Sequence, residues 1–307
     1  MFVSRLGNHA GFYSMFFFFL NNYLYCKKHN ISHQLDSSEW LFKHCDGWTD
    51  YFQHFFIERE ISTSTPMQLH HFNIVEEFTL REYRDSIRDI YQYNHKTMDS
   101  IQQCKDRLGL LSGEYDAIFI RRGDKLYNES LYFPTEIYIE KLLHIRPECH
   151  TIFLQTDDYN CYLDLQKYIE SRSLNIQVLT LCDPNTKGMM IFNTISTEDL
   201  ASSAIKNKFT ENNEYLPKVL NDLHKIKPVN EMNHEEIYKH TMEMLIGIDI
   251  VANSHTCVLD YFSNVSRFIK FFHNTYDNVY DIYRYDNELD LSIEKCPSFL
   301  CSFYPGL

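Results

Sequence analysis

Ala117-Ile118-Phe119-Ile120-Arg121-Arg122-Gly123-Asp124-Lys125 decides the reading of this chain: an apolar run delivers three cations within five residues into one glycine-bearing loop. A continuous apolar run without alternation suits a strand buried on both faces of a parallel sheet. Thr151–Thr156 (TIFLQT), Ile176–Leu181 (IQVLTL) and Ile248–Asn253 (IDIVAN) have the same character. Helical stretches lie between them at Thr135–His144, Tyr159–Ser171 and His234–Gly247. Strands separated by helices give a doubly wound α/β sheet. Upstream, MFVSR (1–5), the turn Gly7–Gly11 and the apolar helix-length Phe12–Lys28 form a strand–turn–helix, the opening of a Rossmann-type unit. Residues 66–110 read as mostly helical, with a helix over Asn94–Leu108, and the turn Leu111-Ser112-Gly113 ends that half. The expected architecture is two Rossmann-type α/β domains, 1–112 and 113–307, each with a parallel sheet, and a cleft between them.

Composition narrows the function. With 44% hydrophobic and 15% aromatic residues the chain has ample core material. Its 9 Gly and 8 Pro form no linker, so two domains are closely coupled. A net charge of −13 argues against a nucleic-acid binder that depends on phosphate contacts. Nine scattered cysteines, without CxxC or an ordered Cys/His ladder, indicate reduced thiols rather than a zinc site or disulfide framework. Met15–Leu20 is too short to span a bilayer, so no transmembrane segment is expected. A sequon at Asn128 lies inside the candidate loop, where a glycan would block it, so a cytoplasmic location is expected.

Ligands of open α/β sheets bind at the carboxyl ends of the strands, and three such ends stand out. Arg121, Arg122 and Lys125 offer forked and point-charge donors for phosphate. The same residues also suit a solvated charged turn in which Asp124 neutralises an arginine. After TIFLQ, Asp157 and Asp158 suit a metal, a sugar hydroxyl or a bracing role; Asp157 is equally an N-cap for the next helix. At the end of IDIVAN, Ser254, His255 and Thr256 lead toward a helix containing Cys257, a turn suited to an anion or to simple capping.

Together these residues resemble the fucosyltransferase superfamily of GT-B fold, and most closely its α1,6-fucosyltransferases, the N-glycan core and rhizobial chitooligosaccharide enzymes. FIRRGDK (119–125) resembles their H-V-R-R-T-D-K motif, with Glu129 and Pro134 at the family spacing, and Thr156-Asp157-Asp158 resembles A-T-D-D. Trp40, Gly47-Trp48 and Phe52 resemble a W…G-W…F stretch, and Gly7-Asn8 a glycine-rich N-terminal turn. The resemblance runs from about residue 5 to 265 and implies a GDP-fucose donor and a glycan acceptor. It gives Arg121 and Lys125 to the diphosphate and Glu129 to the acceptor as general base. Arg122, Asp124, Asp157 and Asp158 support the loop. Asn8, Thr241 and Ser254–Cys257 complete the donor pocket. Phe119 stands in place of a histidine that helps read guanine, Thr241 in place of an aspartate at the base, and Cys257 in place of a serine.

Fixed cations neutralise a departing diphosphate without a divalent ion, so neither metal nor other cofactor is expected. Three other readings remain. One is the same fold with another nucleotide sugar, or a binding-only pseudo-enzyme. A second is a metal hydrolase built on Asp157 and Asp158. The third is an adhesion protein presenting Arg122-Gly123-Asp124.

Overall fold

A computed structural model describes residues 2–54, 78–124, 126, 132–191 and 226–282. The chain divides into two compact units. One joins Met1–Gln102 to Asn233–Met242; the other runs over Gln103–Met232 and resumes at Glu243.

The first unit opens as the sequence predicts. β1 (Phe2–Arg5), α1 (Phe12–Lys28) and β2 (His33–Asp36) make a parallel βαβ unit, with Phe2 opposite His33 and Arg5 opposite Asp36. α1 contains no Gly or Pro, and Lys27 and Lys28 in its last turn suit the negative end of the helix dipole. It buries rings nearly all round, including Phe12, Tyr13, Phe16, Phe17 and Phe19. Trp48 stacks on Phe52 at 4.1 Å and on Phe16 at 6.2 Å, and Trp40 meets Phe12 at 4.9 Å. These rings therefore build the core of this unit. Beneath them the Ser4 hydroxyl lies 2.7 Å from His33 Nε2 and accepts from Asn22 Nδ2 at 2.9 Å. α2 (Leu80–Ile90) follows a Thr79/Glu82 capping box, and α3 (His95–Leu108) comes next.

The second unit is a five-stranded, wholly parallel sheet of β3 (Asp116–Ile120), β4 (Thr151–Thr156), β5 (Gln177–Thr180), β6 (Cys257–Leu259) and β7 (Val279–Asp281). The order β5-β4-β3-β6-β7 reverses direction between β3 and β6, the switch point of a doubly wound fold. α4 (Thr135–Ile145), α5 (Tyr159–Ser171), α6 (His234–Ala252) and α7 (Asn264–Phe272) belong to the unit, α6 by its later turns, and so does the end of α3 from Gln103. Ile118, Ile120, Ile139, Leu142, Ile152, Leu154, Leu165 and Val258 form its core. Burying side chains of this kind is worth about 1.5–3 kcal/mol each. The Gln155 side chain of β4 packs against Gly247 of α6, where a Cβ would lie 1.9 Å from Oε1.

One predicted strand is corrected. Ile248–Asn253 is not a strand: Ile248–Ala252 closes α6, Asn253 follows in a turn, and the strand is the next apolar run, Cys257–Leu259. Ile248, Ile250, Val251 and Ala252 are all buried and only Asp249, paired with Lys105, interrupts them, so this helical segment reads like a short buried strand.

Candidate functional site

β3 delivers its cations to the carboxyl edge of the sheet. Arg121 is 8% exposed, and its guanidinium pairs with both loop carboxylates: Nη2 donates to Asp124 Oδ1 at 2.9 Å, and Nη1 meets Asp157 Oδ2. Arg122 turns the other way, into the core, where Nη2 donates to the Phe133 carbonyl at 2.5 Å and the guanidinium lies 4.5 Å from the Tyr132 ring centroid. Burial opposes its charge, but the surrounding Cys161, Tyr138, Tyr132 and Asp260 raise its pKa further above the ordinary value.

Asp157 is the hub of the loop. Its carboxylate accepts the Arg122 N–H at 2.7 Å and the Met189 N–H at 3.1 Å, besides pairing with Arg121. Asp158 has a separate duty: it caps α5, accepting from the Asn160 N–H at 3.0 Å. The cap of that helix is thus Asp158, and Asp157 braces the loop. Asp124 accepts the Ile191 N–H at 3.1 Å, and its own N–H donates to Met189 O at 3.0 Å. The β3 loop and the segment after β5 therefore cross in contact. They meet at two glycines: a Cβ on Gly123 (φ +60°) would lie 2.3 Å from Met189 O, and one on Gly188 (φ +106°) 2.8 Å from Gly123 Cα.

β6 supplies the other side of the switch point. Ile118 lies opposite Val258; two residues on, β3 ends at Ile120 and β6 has passed into Asp260. Asp260 is buried, and burial raises its pKa from the ordinary carboxylate value. It accepts from Tyr138 Oη at 2.9 Å and from the Phe262 N–H at 3.1 Å. Ser263 then caps α7, accepting from the Ser266 N–H at 3.0 Å, and buried Arg267 donates to the Tyr261 carbonyl at 3.1 Å. The sequence reading missed this turn, although Ser263 followed by the apolar helical spacing of NVSRFIKFF is an N-terminus signal.

The correction to α6 moves one expected group. Ser254, His255 and Thr256 lead into β6, not out of a strand. The His255 N–H donates to Tyr115 O at 2.7 Å, and the Ala117 N–H to Thr256 O at 2.7 Å. They lie at the amino edge, beside Asp116, five residues and roughly 16 Å along β3 from Arg121. Cys257 is the first residue of β6, buried and opposite Ala117, and burial pushes its thiol up. The Ser254 hydroxyl donates to Val251 O at 2.8 Å, and His255 Nδ1 lies 2.9 Å from Thr256 Oγ1. These four residues are not brought to the arginine loop.

Asn8 and Thr241 belong to the first unit. Asn8 is exposed in the Gly7–Gly11 turn, whereas Thr241 is 2% exposed and donates to Ile237 O of its own helix at 2.7 Å. Lys125 and Glu129 lie outside the described residues.

No protein-family model matches the sequence, and no curated protein does. Solved structures do match. One is the NodZ α-1,6-fucosyltransferase soaked with GDP-fucose, at TM-score 0.52 and 10% identity over 88% of this chain and 91% of that one. The fucosyltransferase NodZ from Bradyrhizobium matches with the same values. The chain shares their fold.

Two earlier readings lose their geometry. Arg122 and Gly123 are buried, so Arg122-Gly123-Asp124 is not presented for adhesion. Asp157 is occupied by the arginine loop and Asp158 by a helix end, so the two carboxylates do not converge on a shared metal. Among the described residues the cysteines are free thiols, and no helix is long and apolar enough to cross a membrane.

Proposed function

We propose that this chain is an inverting glycosyltransferase that moves a sugar, L-fucose from GDP-fucose, onto a glycan hydroxyl in the cytosol. The observation that carries it is the placement of Arg121 at the switch point of a wholly parallel sheet, in a fold shared with fucosyltransferases. Strand ends at such a point are where nucleotides bind. The 113–307 domain takes the donor, with Arg121 and Lys125 at the diphosphate and the N-terminus of α7 facing the same edge. The 1–112 domain takes the acceptor, while Asn8 in its glycine turn reaches the donor. Glu129 takes the proton from the acceptor hydroxyl as the new glycosidic bond forms and the diphosphate leaves. Leaving-group charge then falls on guanidinium and ammonium groups rather than on a metal.

A second reading is a protein that binds sugar nucleotide without turnover. It is favoured by the pairing of Arg121 with both Asp124 and Asp157, which neutralises the cation the chemistry needs. One panel separates them: GDP-, UDP- and CMP-sugars, each followed by melting temperature and nucleotide release. GDP-fucose is expected to raise the melting temperature and to be turned over; a ligand at 100 times its dissociation constant adds about 2.7 kcal/mol. Stabilisation without release selects the binding protein. Stabilisation only by a UDP-sugar rejects fucose as the donor sugar.

A further inference from the structure

His44, Cys45 and Asp50 lie in the first unit, in the loop that follows β2, and Glu235 and Tyr238 of α6 belong to the same unit. Asp50 gathers that loop around its carboxylate. It accepts the N–H groups of His44 and Gly47 at 2.8 Å, Asp46 at 3.0 Å and Cys45 at 3.1 Å. With four successive N–H groups tied to one side chain, His44 and Cys45 are presented in a fixed geometry.

The imidazole of His44 is held from two sides. Its Nε2 lies 2.7 Å from Glu235 Oε1, and its ring stacks on Tyr238 at 4.5 Å. A carboxylate facing Nε2 keeps the proton there and leaves the Nδ1 lone pair free to act as a ligand. That Nδ1 lies 3.5 Å from Cys45 Sγ. A tetrahedral Zn²⁺ with ordinary Zn–N and Zn–S bonds holds its nitrogen and sulfur ligands about 3.6 Å apart. One nitrogen, one sulfur and one carboxylate oxygen of the three residues all fall within 4.8 Å of one another.

We propose that His44 Nδ1, Cys45 Sγ and an Asp50 carboxylate oxygen form a binding site for a divalent cation of the Zn²⁺ class, with Glu235 orienting the imidazole. Cys45 binds as the thiolate and releases its proton to solvent. Imidazole and thiolate together select Zn²⁺ and its congeners over Mg²⁺ and Ca²⁺, which take oxygen ligands. Asp50 enters with its oxygens already shared among backbone N–H groups, which makes it the weakest of the three ligands. The fourth position is left to water. The site is independent of the glycosyltransferase reading, since none of its residues serves the arginine loop.

Co²⁺ is the probe, because a thiolate ligand gives it a near-ultraviolet charge-transfer band. Full-length protein, stripped with chelator and dialysed, is titrated with Co²⁺ and then with Zn²⁺. The expected result is a charge-transfer band at one equivalent that Zn²⁺ abolishes. Cys45→Ser should remove the band, and Cys182→Ser should leave it. Glu235→Gln should weaken Co²⁺ binding about tenfold, the usual effect of losing a ligand's carboxylate partner. Cys45 is exposed and the Glu235 side chain is 81% exposed, so Cys45→Ser and Glu235→Gln are expected to keep the fold. Absence of the band in the parent protein, or its survival in Cys45→Ser, overturns the site.

Discussion

A phosphate oxygen that reaches Arg121 exchanges with a carboxylate rather than meeting a bare cation, because Asp124 and Asp157 already hold this guanidinium. On the proposed assignment Arg121→Ala removes a phosphate donor, and it leaves two carboxylates uncompensated, so it is expected to destabilise the loop as well as weaken GDP binding. Arg121→Lys keeps the charge and loses the fork, so it should fold normally and still bind GDP less tightly by calorimetry. Normal GDP affinity in Arg121→Lys and Arg121→Ala alike would mean that the phosphate site lies elsewhere. Glu129→Gln should leave GDP affinity nearly unchanged and cut nucleotide release by about 10²–10⁴. At His33 the prediction concerns pH. Burial lowers its pKa from 6.5 to about 4, so the unfolded chain takes up a proton first as pH falls. The stability from neutral His33 is fully present above pH 6.5 and lost as pH falls to about 4, a window worth about 3 kcal/mol. Urea unfolding across this range should show the slope, and His33→Gln should flatten it.

The two loops that cross at Gly123 and Gly188 are the element on which the arginine site depends. Gly188→Ala puts a side chain on a left-handed residue facing Gly123, at a cost of order 1–3 kcal/mol. Because Gly188 and Met189 donate to Asp157, the same substitution should weaken GDP binding, measured by titration alongside urea unfolding. On the β6 side, Ser263→Ala removes the α7 cap and should cost about 1 kcal/mol. The misreading of α6 was also decided at this scale. The mostly buried last turns of a helix and a strand buried on both faces present similar apolar runs, whereas β6 has only three residues. Length and tertiary burial separate them; local periodicity does not.

At the scale of the whole molecule, donor chemistry and cation binding are expected to be separable. Nucleotide release should survive EDTA if, as proposed, the arginine loop supplies the positive charge, while Zn²⁺ should raise the melting temperature through His44 and Cys45. Loss of release in chelator, restored by Mg²⁺ or Mn²⁺, would show that a metal carries the leaving group. The sequence by itself determined the alternation of strands and helices, the βαβ opening of the first unit and the delivery of Arg121 and Arg122 by an apolar strand. These depend on local pattern: burial on both faces requires unbroken apolar runs, and the cations after β3 follow it directly in the chain. Only the tertiary structure decided which partners those cations have, that Ser254–Thr256 stand at the amino edge, and that Asp260 faces Arg121's end of the sheet. It also joined Glu235 to His44 across 191 positions of sequence. Strand order and long-range pairing are set by how faces pack, and no run of neighbouring residues records that.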